Sequence, residues 1–303
     1  MTKQGEEAIC ALCRHKAKLE LSHLIPSFVF RWLKDTSPTG HLRMADNINK
    51  RVQDGFKEKL LCRNCEQKFS IWENAFNKEF FSRATAKKEI SLNYSPSLAL
   101  FGASIVWRLA VARSTSEARQ ELNAGQRIIL ENGADRWRKF LSGEVSNYGT
   151  YSIHLFDQWR LHDAVHEDLP GNWNRYLSRY VEIDFPSTSK EEDLMVYAKL
   201  GPISVFAHLS RPKHQWIGTR IRPNGGQYLS SKVSLPSNLF EYYRYRSSKG
   251  FATAKAISEN QSNKIDEALV KDIERTVSSE AFTELQLDVN RFGSDAFKKK
   301  GKN

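Results

Sequence analysis

The spacing of apolar residues along the chain predicts where helices form. Phe69, Trp72, Phe76 and Phe80 recur at steps of three and four residues, which is typical of an amphipathic helix beginning near Glu66. The stretch at 97–113 is apolar over enough length to predict a buried helix, with Ser97 at its N-terminus. Further helical pattern covers 27–34, 115–142 and 260–282.

Other segments are rich in β-branched and aromatic residues and are separated by Gly, Pro and Asn, a pattern that predicts strands. They cover 19–26, where a short strand leads into a turn, and 151–156, 180–185, 194–200, 203–209 and 216–221. Gly201-Pro202 and the Asn-Gly-Gly sequence at 224–226 predict turns, and the polar segment 35–58 predicts a long loop. The pattern therefore predicts an α+β protein with a first domain at 1–90 and a mixed helix and antiparallel-sheet domain at 91–303.

Composition and charge narrow the classes of function. Of the 303 residues, 40% are hydrophobic, which is enough for a packed core. No run approaches the ~20 apolar residues of a membrane span, and the first residues lack the apolar centre of a secretory signal, so we expect a cytoplasmic protein with no membrane contact. The formal net charge is +11, and residues 1–90 are the more basic part per residue, which favours a polyanionic partner such as DNA.

The four cysteines form two C-x-x-C pairs, Cys10 with Cys13 and Cys62 with Cys65. In a reducing compartment this spacing favours a metal site over disulfides. Two such knuckles place four thiolates tetrahedrally around Zn²⁺. The sequence therefore predicts a structural zinc ion, and the 48 residues between the knuckles must house something more than a minimal zinc ribbon.

Residues that could carry chemistry lie between and just after the knuckles. His23 lies in the predicted strand segment 19–26, and Glu66 and Glu73 share one face of the predicted helix, two turns apart. A histidine facing a helix that carries carboxylates could take a proton from water while the carboxylates hold a divalent cation against a phosphate. A histidine beside Leu24 and Ile25 could equally be a packing residue, and a glutamate at a helix start also stabilises the helix dipole.

The order of these residues resembles the HNH endonuclease superfamily, which has a treble-clef or ββα-metal fold. The resembling residues are C10-x-x-C13, S22-H23-L-I-P26 and L60-L61-C62-x-x-C65-E66, within 8–85. The resemblance implies that His23 is the general base and that Glu66 takes the last ligand position for Mg²⁺ or Mn²⁺. It also implies that Glu73 matches an acidic helix position and that the cysteines are structural. It also implies DNA as substrate and a role in defence against phage or mobile DNA.

The sequence departs from the family pattern at three positions. Glu66 follows the second knuckle where the family has Asn or His, and a glutamate is a chemically reasonable ligand for Mg²⁺ or Mn²⁺. Ser22 stands where the family usually has Asp, Glu or His as a metal ligand, and Glu20, two residues earlier, is a candidate substitute. The family's middle Asn has four candidate matches in the 35–58 loop: Asn47, Asn49, Gln53 and Asp54. Asp54 is also a candidate, with Glu73 or Glu20, to help Glu66 hold the catalytic ion. These departures keep open a non-catalytic module in which the zinc fold binds nucleic acid or a protein.

Two further groups are weaker candidates. His162 and His166 have the spacing of a helical metal pair but lack the H-E-x-x-H glutamate, and we interpret them as solvated. Basic residues lie at 211–214 and 220–222 beside Trp216, and they could contact phosphate or form a positive surface. The first domain would grip DNA through Lys50, Arg51, Lys57 and Lys59, while 91–303 would select the target, sense a signal, bind a protein partner or form the interface of a larger complex.

Overall fold

A computed structural model describes residues 7–187, 194–210 and 215–297. The strands in chain order are β1 (Glu7–Ile9), β2 (Lys16–His23), β3 (Leu42–Arg43), β4 (Arg51–Val52), β5 (Lys57–Cys62), β6 (Ser91–Tyr94), β7 (Ser152–Asp157), β8 (Val181–Asp184), β9 (Met195–Leu200), β10 (Ile203–His208) and β11 (Gly226–Leu229). The helices are α1 (Ser27–Asp35), α2 (Arg63–Phe76), α3 (Ser82–Thr85), α4 (Pro96–Val111), α5 (Ala124–Ser142), α6 (Trp173–Arg179), α7 (Ser237–Lys255), α8 (Glu259–Lys271), α9 (Ile273–Ser278) and α10 (Glu280–Phe292).

The predicted α+β class is confirmed, but the chain divides differently from the predicted boundary. One compact unit, unit 1, comprises the described residues of Met1–Pro26, Phe56–Asp157 and Val181–Ser234. The other, unit 2, comprises those of Ser27–Gly55, Gln158–Tyr180 and Leu235–Asn303. The predicted boundary near residue 90 falls inside unit 1, because β6 pairs with the distant β11 and the Ile90 N–H donates to Ser230 Oγ.

Unit 1 has its core around α4. This helix is buried on nearly every side and contacts α2, α5 and three strands of a four-stranded antiparallel sheet ordered β7-β10-β9-β8. Its all-round apolar surface is what a central helix requires. Gly201, at φ +66°, forms the β9–β10 turn that the Gly-Pro pair predicts, because glycine tolerates left-handed backbone.

A second, three-stranded antiparallel sheet of unit 1 has the order β1-β2-β5 and carries the cysteine knuckles. Strand β2 pairs with β1 over Lys16–Lys18 and with β5 over Leu19–His23. The helical pattern predicted after Glu66 is confirmed by α2, which continues through a π-helical segment, Asn77–Phe81, into α3. Phe69, Phe76 and Phe80 are buried there, as their spacing predicts.

Unit 2 consists mainly of helices. It contains α1, the short β3–β4 hairpin, α6 and the C-terminal helices α7 to α10. The segment 35–58, predicted as a loop, therefore holds two short strands and the start of β5. Asp288, fully buried on α10, accepts hydrogen bonds from the Asn174 N–H and from Arg175 Nε, which ties α10 to α6.

Three predicted elements need correction. Residues 216–221 form only isolated bridges, such as that between Arg220 and His154. The pattern at 115–142 becomes α-helical only from Ala124, after two short 3-10 turns. The predicted helix at 260–282 is three helices, because the chain breaks at Asp272 and Ser279, whose side chains cap α9 and α10. Within the described ranges, no helix combines the length and apolar composition needed to cross a bilayer.

Candidate metal centre and the adjoining strand end

The first knuckle lies in the tight turn between β1 and β2, and the second lies where β5 passes into α2. The Cys10 carbonyl accepts the Arg14 N–H, and the Cys10 N–H donates to the His15 carbonyl, which closes the first turn. Arg14 takes a positive φ of 65° there. Cys62 ends β5 and precedes the first residue of α2, so Cys65 lies in the first helical turn.

The four Sγ atoms lie within 4.8 Å of one another. Cys13 Sγ and Cys62 Sγ are 3.8 Å apart, far longer than the ~2.05 Å of a disulfide. A tetrahedron with metal–sulfur bonds of ~2.3 Å has edges of about 3.8 Å. The cysteines are therefore placed to bind a metal ion, with Cys10 and Cys65 buried beneath it.

The surroundings of Cys10 favour a thiolate. Burial alone would raise its pKa, but backbone N–H groups of Cys62, Cys13 and Leu12 point at the sulfur and lower the pKa to about 7. The Cys62 N–H lies 3.3 Å from Cys10 Sγ. By contrast, burial and the neighbouring cysteines raise the pKa of Cys65. A bound cation is the charge that stabilises four adjacent thiolates together.

The residue before His23 contacts the start of α2. Ser22 is fully buried, and its hydroxyl donates a 2.6 Å hydrogen bond to Glu66 Oε2. The position after the second knuckle and the position before the histidine are therefore adjacent in space, although 44 residues separate them in sequence. Ser22 lies on β2, which follows the first knuckle, and Glu66 lies on α2, where the second knuckle begins the helix.

Glu73, predicted as a catalytic carboxylate, forms an ion pair with a buried arginine. Arg108 of α4 is 1% exposed and places Nη2 2.8 Å from Glu73 Oε1. Its Nη1 donates to the His23 carbonyl at 2.7 Å, and its Nε donates to the Ser104 carbonyl. Arg108 thus connects α4, α2 and the last residue of β2, and Glu73 neutralises it.

His23 and Ser22 point to opposite faces of β2, because side chains alternate along a strand. Ser22 lies on the face toward Glu66, whereas His23 lies opposite Lys57 on β5 and shares a face with Leu21. Leu21 is exposed and lies opposite Lys59, also exposed. The half-buried His23 therefore lies at the end of a face of the β2–β5 strand pair that carries lysines.

The remaining predicted residues do not assemble a second metal cluster. Glu20 lies opposite Leu61, beside a β-bulge, and Asp54 accepts a hydrogen bond from the N–H of Gly55 in unit 2. Asn49 accepts the Ser258 N–H within unit 2, so this candidate for the middle Asn is engaged at the start of α8. Across residues 7–187, 194–210 and 215–297, the four cysteines alone form a group of three or more Cys, His, Asp or Glu ligands.

The other sequence candidates lie elsewhere. His162 Nδ1 is 2.8 Å from Asn174 Oδ1, and Ser178 Oγ is 3.2 Å from His162 Nε2, so this half-buried ring packs within unit 2 instead of being solvated. The basic residues at 211–214 lie outside the described residues. Arg51 lies in β4 of unit 2 next to Lys50, whereas Lys57 and Lys59 lie in β5 of unit 1.

The chain matches no protein-family model, no curated protein and no solved structure. The resemblance to HNH endonucleases therefore rests on the motif residues alone. Sequence reasoning missed Arg108, for which a signal existed: it is a lone charge inside the apolar run of α4 and must find a partner.

We expect Cys65→Ser to abolish stoichiometric metal binding, because a serine hydroxyl is a poor replacement for a thiolate. The melting temperature should fall by about 10 °C or more, since a structural metal contributes directly to folding. Elemental analysis of purified protein and thermal unfolding measure the two effects. Ser70→Ala, at an exposed position of α2, is the control. Wild-type protein that stays metal-free after purification with zinc would contradict the assignment.

We expect Glu73→Gln to lower the free energy of unfolding by about 2 kcal/mol, because it leaves the buried Arg108 without its neutralising charge. Urea denaturation measures the loss. Glu79→Gln, at an exposed position on the following π-helical segment, should change stability by less than about 0.5 kcal/mol. Equal effects of the two substitutions would show that the ion pair contributes no stability.

Proposed function

We propose that the protein is a zinc-stabilised endonuclease of the HNH type that hydrolyses phosphodiester bonds in DNA. The observation that carries the proposal is the hydrogen bond between Ser22 and Glu66. This bond brings together the two positions that, in the resembling family, flank the catalytic ion. One of the two, Ser22, is the residue next to His23.

Zinc is the metal that best fits the four cysteines. Four thiolates in two knuckles form a closed tetrahedral site, which is typical of structural zinc. A knuckle before β2, a paired strand β5, and a second knuckle that opens α2 follow the order of a treble clef. In this proposal the zinc takes no part in hydrolysis and fixes the turn before β2 against the start of α2.

The proposed catalytic ion is Mg²⁺ or Mn²⁺ held by Glu66. Such ions keep several water ligands and commonly bind through one or two carboxylates together with substrate phosphate oxygens. One carboxylate with an adjacent hydroxyl is therefore a sufficient protein contribution, and a third ligand from Glu73 is not needed. The ion would polarise the scissile phosphate and stabilise the charge on its oxygens.

His23 would act as general base on the attacking water. Arg108 holds its carbonyl, so the backbone of the histidine is anchored at the end of the strand. Strand β1 pairs only as far as Lys18, and within the described residues no other strand covers that edge of β2 beyond it. A phosphate at this open edge could approach both Glu66 and His23, although their side chains start from opposite faces.

The deciding measurement is plasmid cleavage by zinc-loaded protein with Mg²⁺ or Mn²⁺. We expect His23→Ala to reduce the rate by at least about 100-fold, because a general base contributes on that scale. We expect Glu66→Gln to reduce it comparably, since the amide keeps an acceptor for Ser22 but loses the charge that holds the ion. His15→Ala and Glu79→Gln, both at exposed positions, should leave the rate unchanged. Cleavage by His23→Ala at the wild-type rate would remove the proposed mechanism.

A second candidate function is a non-catalytic module that binds DNA. It is favoured by the ion pair that engages Glu73 and by the hydroxyl, in place of a carboxylate, at position 22. In this case the lysine-bearing face of the β2–β5 strand pair would bind phosphates without cutting them.

Fluorescence anisotropy with duplex DNA in the absence of Mg²⁺ and Mn²⁺ tests this second function. We expect the double variant Lys57→Gln/Lys59→Gln to weaken binding and to reduce the slope of log K against log salt by about 0.9 per lost phosphate contact. Lys88→Gln, at an exposed position beyond α3, is the control. Salt-dependent binding together with no cleavage under any divalent ion would establish the binding module in place of the nuclease.

A further inference from the structure

A cleft of about 820 Å³ opens in unit 1 beside the turn that precedes β11. It is separate from the cysteine centre, and its lining includes Tyr94, Arg220, Arg222, Asn224, Gly225 and Gln227. Its lining residues all lie within the described ranges, and none of them is acidic. The cleft therefore presents positive charge with no carboxylate to balance it.

Both arginines of the cleft are held in place through their backbone. The Leu155 N–H donates to the Thr219 carbonyl, and the Ile221 N–H donates to the Ile153 carbonyl, which joins this segment to β7. Thr219 and Ile221 are buried. Arg220 and Arg222 alternate with them and are exposed. Neither guanidinium forms a hydrogen bond or ion pair with another group in the described part of the chain.

The floor of the cleft has a fixed shape. Tyr94 Oη accepts the Arg222 N–H at 3.0 Å, and the Gly225 N–H donates to the Arg222 carbonyl, which closes the turn. Gly225 has φ +88°, and a Cβ there would lie 2.6 Å from the Tyr94 carbonyl oxygen, so a larger residue does not fit. The exposed amides of Asn224 and Gln227 add neutral donors to the rim.

We propose that this cleft binds the phosphate groups of a phosphorylated small molecule of nucleotide size. Guanidinium groups match phosphate oxygens with paired N–H donors, and amides complete the coordination of an anion. The backbone that carries the two arginines is fixed before any ligand arrives, so binding needs to order only their side chains.

A small molecule fits the cleft better than a nucleic acid strand does. Its volume lies within the ~300–1,000 Å³ of small-molecule sites. Strand-binding surfaces combine a long basic track with exposed aromatic rings for base stacking. Here the lining supplies two cations, and its aromatic residue, Tyr94, is only 7% exposed. This site does not depend on the proposed nuclease, since it uses none of His23, Ser22 or Glu66.

Isothermal titration of the full-length, zinc-loaded protein with ATP, pyrophosphate and adenosine tests the proposal. We expect ATP to bind and adenosine not to bind, and the double variant Arg220→Gln/Arg222→Gln to weaken ATP binding at least about tenfold. The charge-matched control is Arg83→Gln/Lys88→Gln, at exposed positions within and after α3, and it should bind like wild type. Unchanged melting temperatures would show that both double variants are folded.

The titration results distinguish phosphate binding in the cleft from the alternatives. Binding of pyrophosphate as tight as that of ATP would identify the phosphates alone as the recognised group, in agreement with the proposal. Absence of ATP and pyrophosphate binding by wild type, or equal weakening in the control, would overturn it. Binding of a thymidine oligonucleotide that requires both arginines and is not displaced by ATP would also overturn the proposal. The His23→Ala protein should bind ATP like wild type, so failure of the nuclease proposal leaves this test intact.

Discussion

The four-thiolate cluster is the constraint on which the N-terminal part of the structure depends. Strands β2 and β5 are neighbours in one sheet, but between them the chain leaves unit 1 at Ser27 and returns only at Phe56. Closing such an excursion costs conformational entropy, which a short antiparallel pair offsets poorly. A metal ion bound by Cys10, Cys13, Cys62 and Cys65 would join the turn before β2 to the junction of β5 and α2. The Ser22–Glu66 contact lies between β2 and α2, the elements that this one cross-link would hold together.

Arg108 sets the second constraint, because a buried guanidinium must be neutralised and hydrogen-bonded. It takes Glu73 as its counterion and the carbonyls of Ser104 and His23 as acceptors. The two acidic residues near the strand end therefore have different partners. Glu73 stabilises the packing of α2 against α4, while Glu66, at the start of α2, accepts the Ser22 hydroxyl or could bind a ligand. This division explains why two glutamates on one helix face need not share one role.

Much of the local structure could be predicted from the sequence, because it follows from local pattern. The knuckles, α1, α2, α4 and the strands β7 to β10 were predicted from spacing, apolar periodicity and turn residues. The pairing of β6 with β11 was not, because Tyr94 and Gly226 are distant in sequence and each strand is only four residues long. For the same reason the two-unit division was missed: the segment 27–55 carries no local signal that it belongs with the C-terminal helices.

At the candidate site, the sequence identified the residues but not their partners. Ser22 was recognised as a departure from the nuclease pattern, yet only the fold shows that its hydroxyl meets Glu66. Because these two residues lie in the elements that the cysteines join, removing the metal would disturb the site and the fold together. Loss of cleavage in a metal-depleted protein would therefore not reveal which ion performs the proposed hydrolysis. Substitutions that keep the Ser22 hydrogen bond but change the charge at position 66 separate the structural metal from a catalytic one.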